Sequence, residues 1–209
     1  MFEKLRAYSP ALFLLGLIIA VWEVYAPGLA GGFLFDDFVN LEPLGSFGGV
    51  KDFETAKAFV FNGIASSLGR PLSLATFLID DNDWPSQAGY FKPTNVKIHL
   101  INGLLVIWVS ILILRALGKK EIDAVWISLL AGAIWMLHPY MVSTTLYVIQ
   151  RMAQLSAMFM LAGICAYLKG RAMLGGGRLI AGYIWMSVGV AIGTLLAILS
   201  KENGARSEE

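Results

Sequence analysis

Five stretches of the chain run almost uninterrupted through apolar residues, at about 10–25, 96–114, 124–137, 152–168 and 179–199. Crossing roughly 30 Å of hydrocarbon at 1.5 Å per residue takes about 20 residues of helix. The pattern predicts an all-α, polytopic membrane protein with about five transmembrane helices. The third stretch is short by itself and is expected to extend through His138-Pro139. Between the first two spans lies segment 26–93, where apolar and polar positions alternate over shorter distances. There Asp52 is placed to cap a helix over 53–61, on which Phe53, Ala56 and Val60 share a face, and Pro71 suits the first turn of a helix over 72–79. Such short amphipathic helices are expected to lie in the membrane interface, with Phe59, Phe61 and Phe77 dipping into lipid. The run Asp80-Asp81-Asn82-Asp83-Trp84-Pro85 reads as a solvated turn, and its acids lack the spacing and terminal Glu of a calcium loop.

Polar residues interrupt the spans at regular intervals. Asn95, His99 and Asn102 recur at i, i+4 and i+7, one helical face that sits poorly against lipid. Ser143, Tyr147, Gln150, Arg151 and Gln154 carry helical spacing ahead of the fourth apolar core. His138 closes the third span, and Ser200-Lys201-Glu202-Asn203-Gly204 closes the fifth. Each has a packing reading beside a functional one: Asn95 and Asn102 as interhelical hydrogen-bonding groups, His138 as a helix-end cap, Arg151 as a snorkelling anchor, Lys201-Glu202 as an interfacial ion pair. Gly189 and Gly193 form a small-xxx-small pair suited to helix packing, Gly175-Gly176-Gly177 reads as a flexible turn, and Cys165 as a small packing residue.

Composition agrees with the spans. At 57% hydrophobic, 15% charged and a mean hydropathy of +0.67 over 209 residues, the chain is too apolar for an ordinary soluble domain. A net charge of +1, with no basic run longer than Lys119-Lys120, excludes the footprint of a nucleic-acid binder. The basic residues are uneven. Lys4 and Arg6, then Arg115, Lys119 and Lys120, then Lys169, Arg171 and Arg178 fall on one side of the five-span plan. The other side holds Arg151, with Lys201 and Arg206 at the end. The positive-inside rule puts the N-terminus in the cytoplasm and 26–93 outside, and Pro27 makes a poor cleavage context, so the first span reads as a retained anchor.

On that outer side, soon after the first span, stands Asp36-Asp37, set among Phe33, Phe35 and Phe38. Carboxylates normally drift into bulk water, so two of them among aromatics point to a site held against the membrane surface. By topology His99, His138, Gln150, Arg151, Lys201 and Glu202 converge on the same face.

Taken in order, Phe35-Asp36-Asp37, Gly69-Arg70-Pro71-Leu72, Asn95-Val96-Lys97-Ile98-His99-Leu100, His138-Pro139, Tyr147-Val148-Ile149-Gln150-Arg151-Met152 and Ser200-Lys201-Glu202-Asn203-Gly204 resemble the N-terminal half of GT-C fold membrane glycosyltransferases. The likeness is greatest to bacterial relatives of the transmembrane and tetratricopeptide-repeat protein O-mannosyltransferases. The resemblance implies transfer of a sugar from a polyprenyl phosphate donor to a protein or glycan acceptor, at the periplasmic or extracellular face of a bacterial inner membrane. It implies catalytic Asp36 with Asp37 as neighbour, and substrate-binding Arg70, His99, His138, Gln150, Arg151, Lys201 and Glu202. A departing phosphate needs cationic stabilisation without necessarily needing a metal; no metal ligand is assigned, and the participation of a divalent cation stays open. Family members carry more spans and often appended repeats, so residues 1–209 are expected to be a single membrane domain forming the N-terminal part of a longer protein. The rival reading is a non-enzymatic helical membrane protein, such as a transporter half or assembly subunit, whose polar stripes serve packing or permeation.

Overall fold

The computed structural model describes residues 2–63 and 69–202. The side chains of Lys4 and Arg6, and residues Asn203, Gly204 and Arg206, lie outside the described part. Every regular element described is helical. In order they are α1 (Phe2–Tyr25), a 3₁₀ turn (Ala26–Ala30), α2 (Asp36–Leu41), a second 3₁₀ stretch (Glu42–Gly48), α3 (Phe53–Phe61), α4 (Pro71–Phe77), α5 (Ala88–Ala116), α6 (Glu121–Met136), α7 (Met141–Leu146), a third 3₁₀ turn (Val148–Gln150), α8 (Arg151–Gly175) and α9 (Leu179–Ser200).

Four stretches, Tyr8–Ala30, Ala88–Ala116, Val148–Gly175 and Leu179–Ser200, are long and apolar enough to cross a membrane. The third apolar stretch of the sequence falls short of that length. α6 has sixteen residues, about 24 Å of helix, and stops at Met136 without running through His138-Pro139. Pro139 disfavours helical geometry at His138 and brings no N–H of its own, so the chain turns there and re-enters a helix at Met141.

The long helices stand together through apolar packing, through close glycine contacts and, between α5 and α8, through side-chain hydrogen bonds. α1, α5 and α6 share an apolar cluster built on Leu17, Val21, Tyr25, Val96, Ile107, Leu129 and Met136. α8 and α9 instead meet backbone to backbone through glycines. A Cβ on Gly193 would stand 2.8 Å from the Phe159 carbonyl oxygen and 3.0 Å from the Gly163 Cα, and one on Gly170 would stand 2.7 Å from the Gly182 carbonyl oxygen. Small residues allow that approach where no water exists to drive burial.

Among the described residues between the first two candidate spans, α2, α3, α4 and the turns joining them form a helical cap over one end of the bundle. α3 begins where Asp52 accepts from the Thr55 N–H at 2.9 Å while Thr55 Oγ1 accepts from the Asp52 N–H, a reciprocal cap matching the predicted boundary. The cap has its own apolar core of Leu41, Leu44, Phe59, Leu74, Phe77 and Phe91, closed underneath by Val148, Ile149 and Met152 at the start of α8. Phe59 and Phe77 are therefore buried inside the cap and do not dip into lipid; Phe53 and Phe61 are the exposed aromatics of α3. The cap's helices pair their apolar faces with each other and with the bundle, which hides more area than an interface could.

Candidate functional site

The entry to α8 organises this end of the molecule. The first N–H groups of a helix have no partner within it. Here the 3₁₀ turn leaves the Ile149 N–H to donate to Asp37 Oδ1 at 2.7 Å, and Asp37 Oδ2 accepts from the Leu34 N–H at 2.8 Å. Asp37 is fully buried. Burial raises its pKa above the usual carboxylate value, against the opposing pull of those two N–H groups and of the Lys92 ammonium. Lys92 itself holds the preceding chain, donating to the Gly31 and Gly28 carbonyls at 2.7 and 3.2 Å.

Asp36 has a different setting. It opens α2, is exposed, and its N–H donates to the Tyr147 hydroxyl at 2.9 Å. Burial raises the Tyr147 pKa, and the neighbouring carboxylates of Asp36 and Asp37 push it further the same way. The residue before the pair, Phe35, is 83% exposed and holds φ at +24°. Positive φ is strained for a bulky residue, and α2 begins directly after it, with Asp36 exposed and Asp37 buried on successive helix positions.

Arg151 is also fully buried, beneath the cap. Its Nε donates to Asn95 Oδ1 at 2.7 Å, Nη1 to the Thr76 carbonyl at 2.9 Å and Nη2 to the Phe91 carbonyl at 2.7 Å. Nη2 also stands 2.5 Å from Asp80 Oδ2, and the guanidinium lies 4.4 Å over the Phe77 ring. Two expectations change. Arg151 is neither a snorkelling anchor nor open to a phosphate, because its donors are spent on α4, α5 and the segment between them. Asp80 is not part of a solvated turn: it pairs with Arg151 and accepts from Thr94 Oγ1.

His99 is likewise enclosed. Its Nε2 lies 2.9 Å from the Met136 carbonyl oxygen, its ring stacks on Trp135, and Tyr25 packs at a tilt on it. It joins α1, α5 and α6 and presents no surface to a substrate. Asn95 and Asn102 behave as their packing reading expected, donating to the Val148 and Gln154 carbonyls of α8 and its entry at 3.1 and 2.9 Å.

The other candidates stay near the surface. His138 is exposed, and its Nδ1 accepts from the Tyr140 N–H at 3.2 Å, which makes it a turn-capping residue. Gln150 is half-buried at the α8 cap. Arg70 precedes α4 in the left-handed region (φ +54°), directly after Gly69 at φ +71°. Its Nη1 donates to Met152 Sδ at 3.3 Å, and its Nε is buried with no hydrogen-bond partner among the described residues. Ser73, on the first turn of α4, donates through Oγ to the Ser200 carbonyl at 2.8 Å, bringing the end of α9 alongside. Lys201 follows, half-buried, its pKa lowered by burial and then by the nearby Arg70 charge. Among the described residues neither cation is in a salt bridge, although Glu202 is next in the chain.

The chain matches no protein-family model, no curated protein and no solved structure. Its chemistry is therefore read from these residues. Among the described residues no group of three or more His, Cys, Asp and Glu is placed to hold a metal ion. The same end of the bundle offers an outward carboxylate at Asp36 and two cations, Arg70 and Lys201, with no acid partner among the described residues. Sequence reading missed Thr94 and Lys92 and placed Asp80 in a solvated turn, yet all three fix this end in place. Lys92 carried a visible signal, a lysine at the edge of an apolar run; Asp80 was masked by the acids around it.

Proposed function

We propose that the chain is the N-terminal part of a GT-C type membrane glycosyltransferase, moving a sugar from a polyprenyl phosphate donor to a protein or glycan acceptor outside the cytoplasm. The acceptor hydroxyl attacks the anomeric carbon as the bond from that carbon to the phosphate oxygen breaks. Asp36 takes the hydroxyl proton, and Arg70 and Lys201 neutralise the charge left on the departing phosphate. Asp37 positions its neighbour from within. His138, Gln150 and Glu202, all on the cap side, remain candidates for acceptor contact.

The observation that carries this reading is the presence, at one end of the bundle, of an exposed carboxylate at Asp36, held to Tyr147 just before α8, and of Arg70 and Lys201, one bonded to Met152 of α8 and the other following Ser200, to which α4 is bonded; among the described residues neither cation is in a salt bridge. The ordered likeness of the motifs supports it. In this reading α6 with the turn after it completes a fifth crossing, the N-terminus is cytoplasmic, and the cap faces the periplasm or exterior of a bacterial inner membrane.

The test is sugar transfer from a labelled polyprenyl phosphate donor in membranes holding the full-length protein and acceptor. Asp36→Asn keeps size and hydrogen bonding but removes basicity, so transfer should fall by roughly 10²- to 10⁴-fold with insertion unchanged. Near-normal transfer by Asp36→Asn would end the base assignment. If Asp36→Asn, Asp37→Asn also stayed active, neither carboxylate would be catalytic; failure of the wild-type protein to transfer any sugar would favour a non-enzymatic membrane protein.

A further inference from the structure

Three basic residues, Lys169, Arg171 and Arg178, flank the turn that joins α8 to α9. Lys169 Nζ stands 4.6 Å over the Trp185 ring, so an ammonium is fixed across the two helices. Arg178 is held by its backbone, its N–H donating to the Met173 carbonyl at 3.0 Å and its carbonyl accepting from the Gly182 N–H at 2.9 Å. Arg171 and Arg178 are both exposed. Trp185, beneath the Lys169 ammonium, is also a wall of an apolar groove of about 370 Å³ between the helices, with Ala162 and Ala166 on the α8 side. Helical spacing brings the cations into line with that groove. Lys169 follows Ala166 on α8, and Arg178 lies two turns before Trp185 on α9.

No acid answers this charge. Between Asp123 and Glu202 the sequence contains neither Asp nor Glu, and among the described residues none of the three cations is in a salt bridge. The turn between α5 and α6 differs, since Arg115 there pairs with Glu121. We propose that the hairpin binds an anionic glycerophospholipid, with its phosphate on Lys169 and Arg178 and one acyl chain along Trp185 and Ala166. A phosphate held there accepts charge-assisted hydrogen bonds, and basic pockets between membrane helices take anionic headgroups on this basis. A zwitterionic headgroup fits less well, because it brings its own cation against two basic side chains. The length also suits one chain. From Trp185 to Leu196 the groove runs about 17 Å along α9, close to the ~15 Å of hydrocarbon in one leaflet. Both helices are long and apolar enough to cross a membrane. The site lies at the end of the bundle away from the cap, separate from Asp36, Arg70 and Lys201, and needs no sugar transfer by the protein.

The experiment uses the full chain, delipidated in detergent and titrated in native mass spectrometry with phosphatidylglycerol or with phosphatidylcholine of the same acyl chains. Phosphatidylglycerol should bind more tightly. Lys169→Gln with Arg178→Gln should weaken it by about tenfold or more, to the level of phosphatidylcholine. Lys169→Arg with Arg178→Lys keeps both charges and should bind like wild type, which controls for folding. Lys119→Gln with Lys120→Gln removes the same charge from the turn between α5 and α6 and should leave binding unchanged. Ala162→Trp, which fills the acyl seat without touching the cations, should weaken phosphatidylglycerol, and glycerol 3-phosphate, a headgroup without chains, should not displace it.

Equal binding of the two lipids by the wild-type protein would overturn the proposal. So would an equal loss in the Lys119, Lys120 variant, which would make the preference a diffuse effect of net charge. Unchanged binding by Ala162→Trp would remove the acyl seat, and displacement by glycerol 3-phosphate would make the cations a small-anion site rather than a lipid site.

Discussion

At Arg151 four groups meet: the side chain of Asn95, the carbonyls of Phe91 and Thr76, and the carboxylate of Asp80. Removing one partner of a buried ion pair leaves the other uncompensated, at a cost of about 3–5 kcal/mol. Arg151→Gln should therefore lower the thermal midpoint of the detergent-solubilised protein severely, and Arg151→Met with Asp80→Asn should recover much of the loss. A variant that melts like wild type but uses the lipid donor poorly would return Arg151 to substrate binding. Asp37 gives a pH signature. Its folded-state pKa is raised by burial, so the folded protein keeps this proton to higher pH than the unfolded chain does. Its favourable contribution is full below the unfolded pKa and declines as pH rises through the folded one. Thermal midpoints measured from about pH 4 to pH 7 should thus fall less steeply in Asp37→Asn than in wild type. Asp37→Asn also loses one of two accepted N–H bonds, so its midpoint should be lower throughout. A parallel pair of curves would rule out Asp37 as the titrating group.

Among the elements, α9 depends most on a single neighbour. Its apolar side chains point largely outward, and it holds to α8 through the Gly163, Gly189 and Gly193 contacts and to the cap through Ser200. Gly193→Ala puts a methyl against backbone atoms that cannot move aside, and overpacking of this kind costs about 1–3 kcal/mol. Gly16→Ala, in the middle of α1 with nothing within 4 Å, should be neutral or slightly stabilising because alanine favours helix. Thermal unfolding of the two variants side by side checks this; equal midpoints would mean the hairpin is looser than its glycines require. The same contrast shows what periodicity can reveal. The Gly189-Gly193 spacing announced a packing face, yet not which helix it met, because a small residue has no pattern of its own to match.

For the whole molecule, the cap and the turns following α5 and α8 lie at opposite ends of the bundle. Arg115, Lys119, Lys120, Arg171 and Arg178 gather about those turns, where Arg115 also pairs with Glu121. The proposed orientation therefore predicts that in a Cys165→Ala background a cysteine at Ser46, exposed in the cap, reacts with an impermeant reagent in intact cells. One at Gly118, exposed in the turn between α5 and α6, should react only after permeabilisation. The opposite pattern would invert the molecule and move the candidate site to the cytoplasmic face.

By itself the sequence determined the all-helical class with helices long and apolar enough to cross a membrane, the cap of α3 and the Pro71 start of α4, because apolar run length, turn residues and capping groups act within a few neighbouring positions. It also set Asn95, His99 and Asn102 on one inward face, since helical spacing alone shows which positions cannot meet lipid. Tertiary structure decided what those polar groups do. Asp36 and Asp37 are indistinguishable as neighbours in a chain, and they part company because successive helix positions project in different directions and the N–H groups of Ile149 and Leu34 meet Asp37 on the inner side. Arg151 and Asp80 lie far apart in the chain, so their pairing was invisible until α4, α5 and α8 packed; with it, a residue expected to bind phosphate became part of the core. Arg70 and Lys201 were both substrate-binding candidates by resemblance, but their nearness was not legible in the chain, because they lie far apart in sequence and only the docking of α4 against the end of α9 brings the Arg70 charge close enough to act on Lys201.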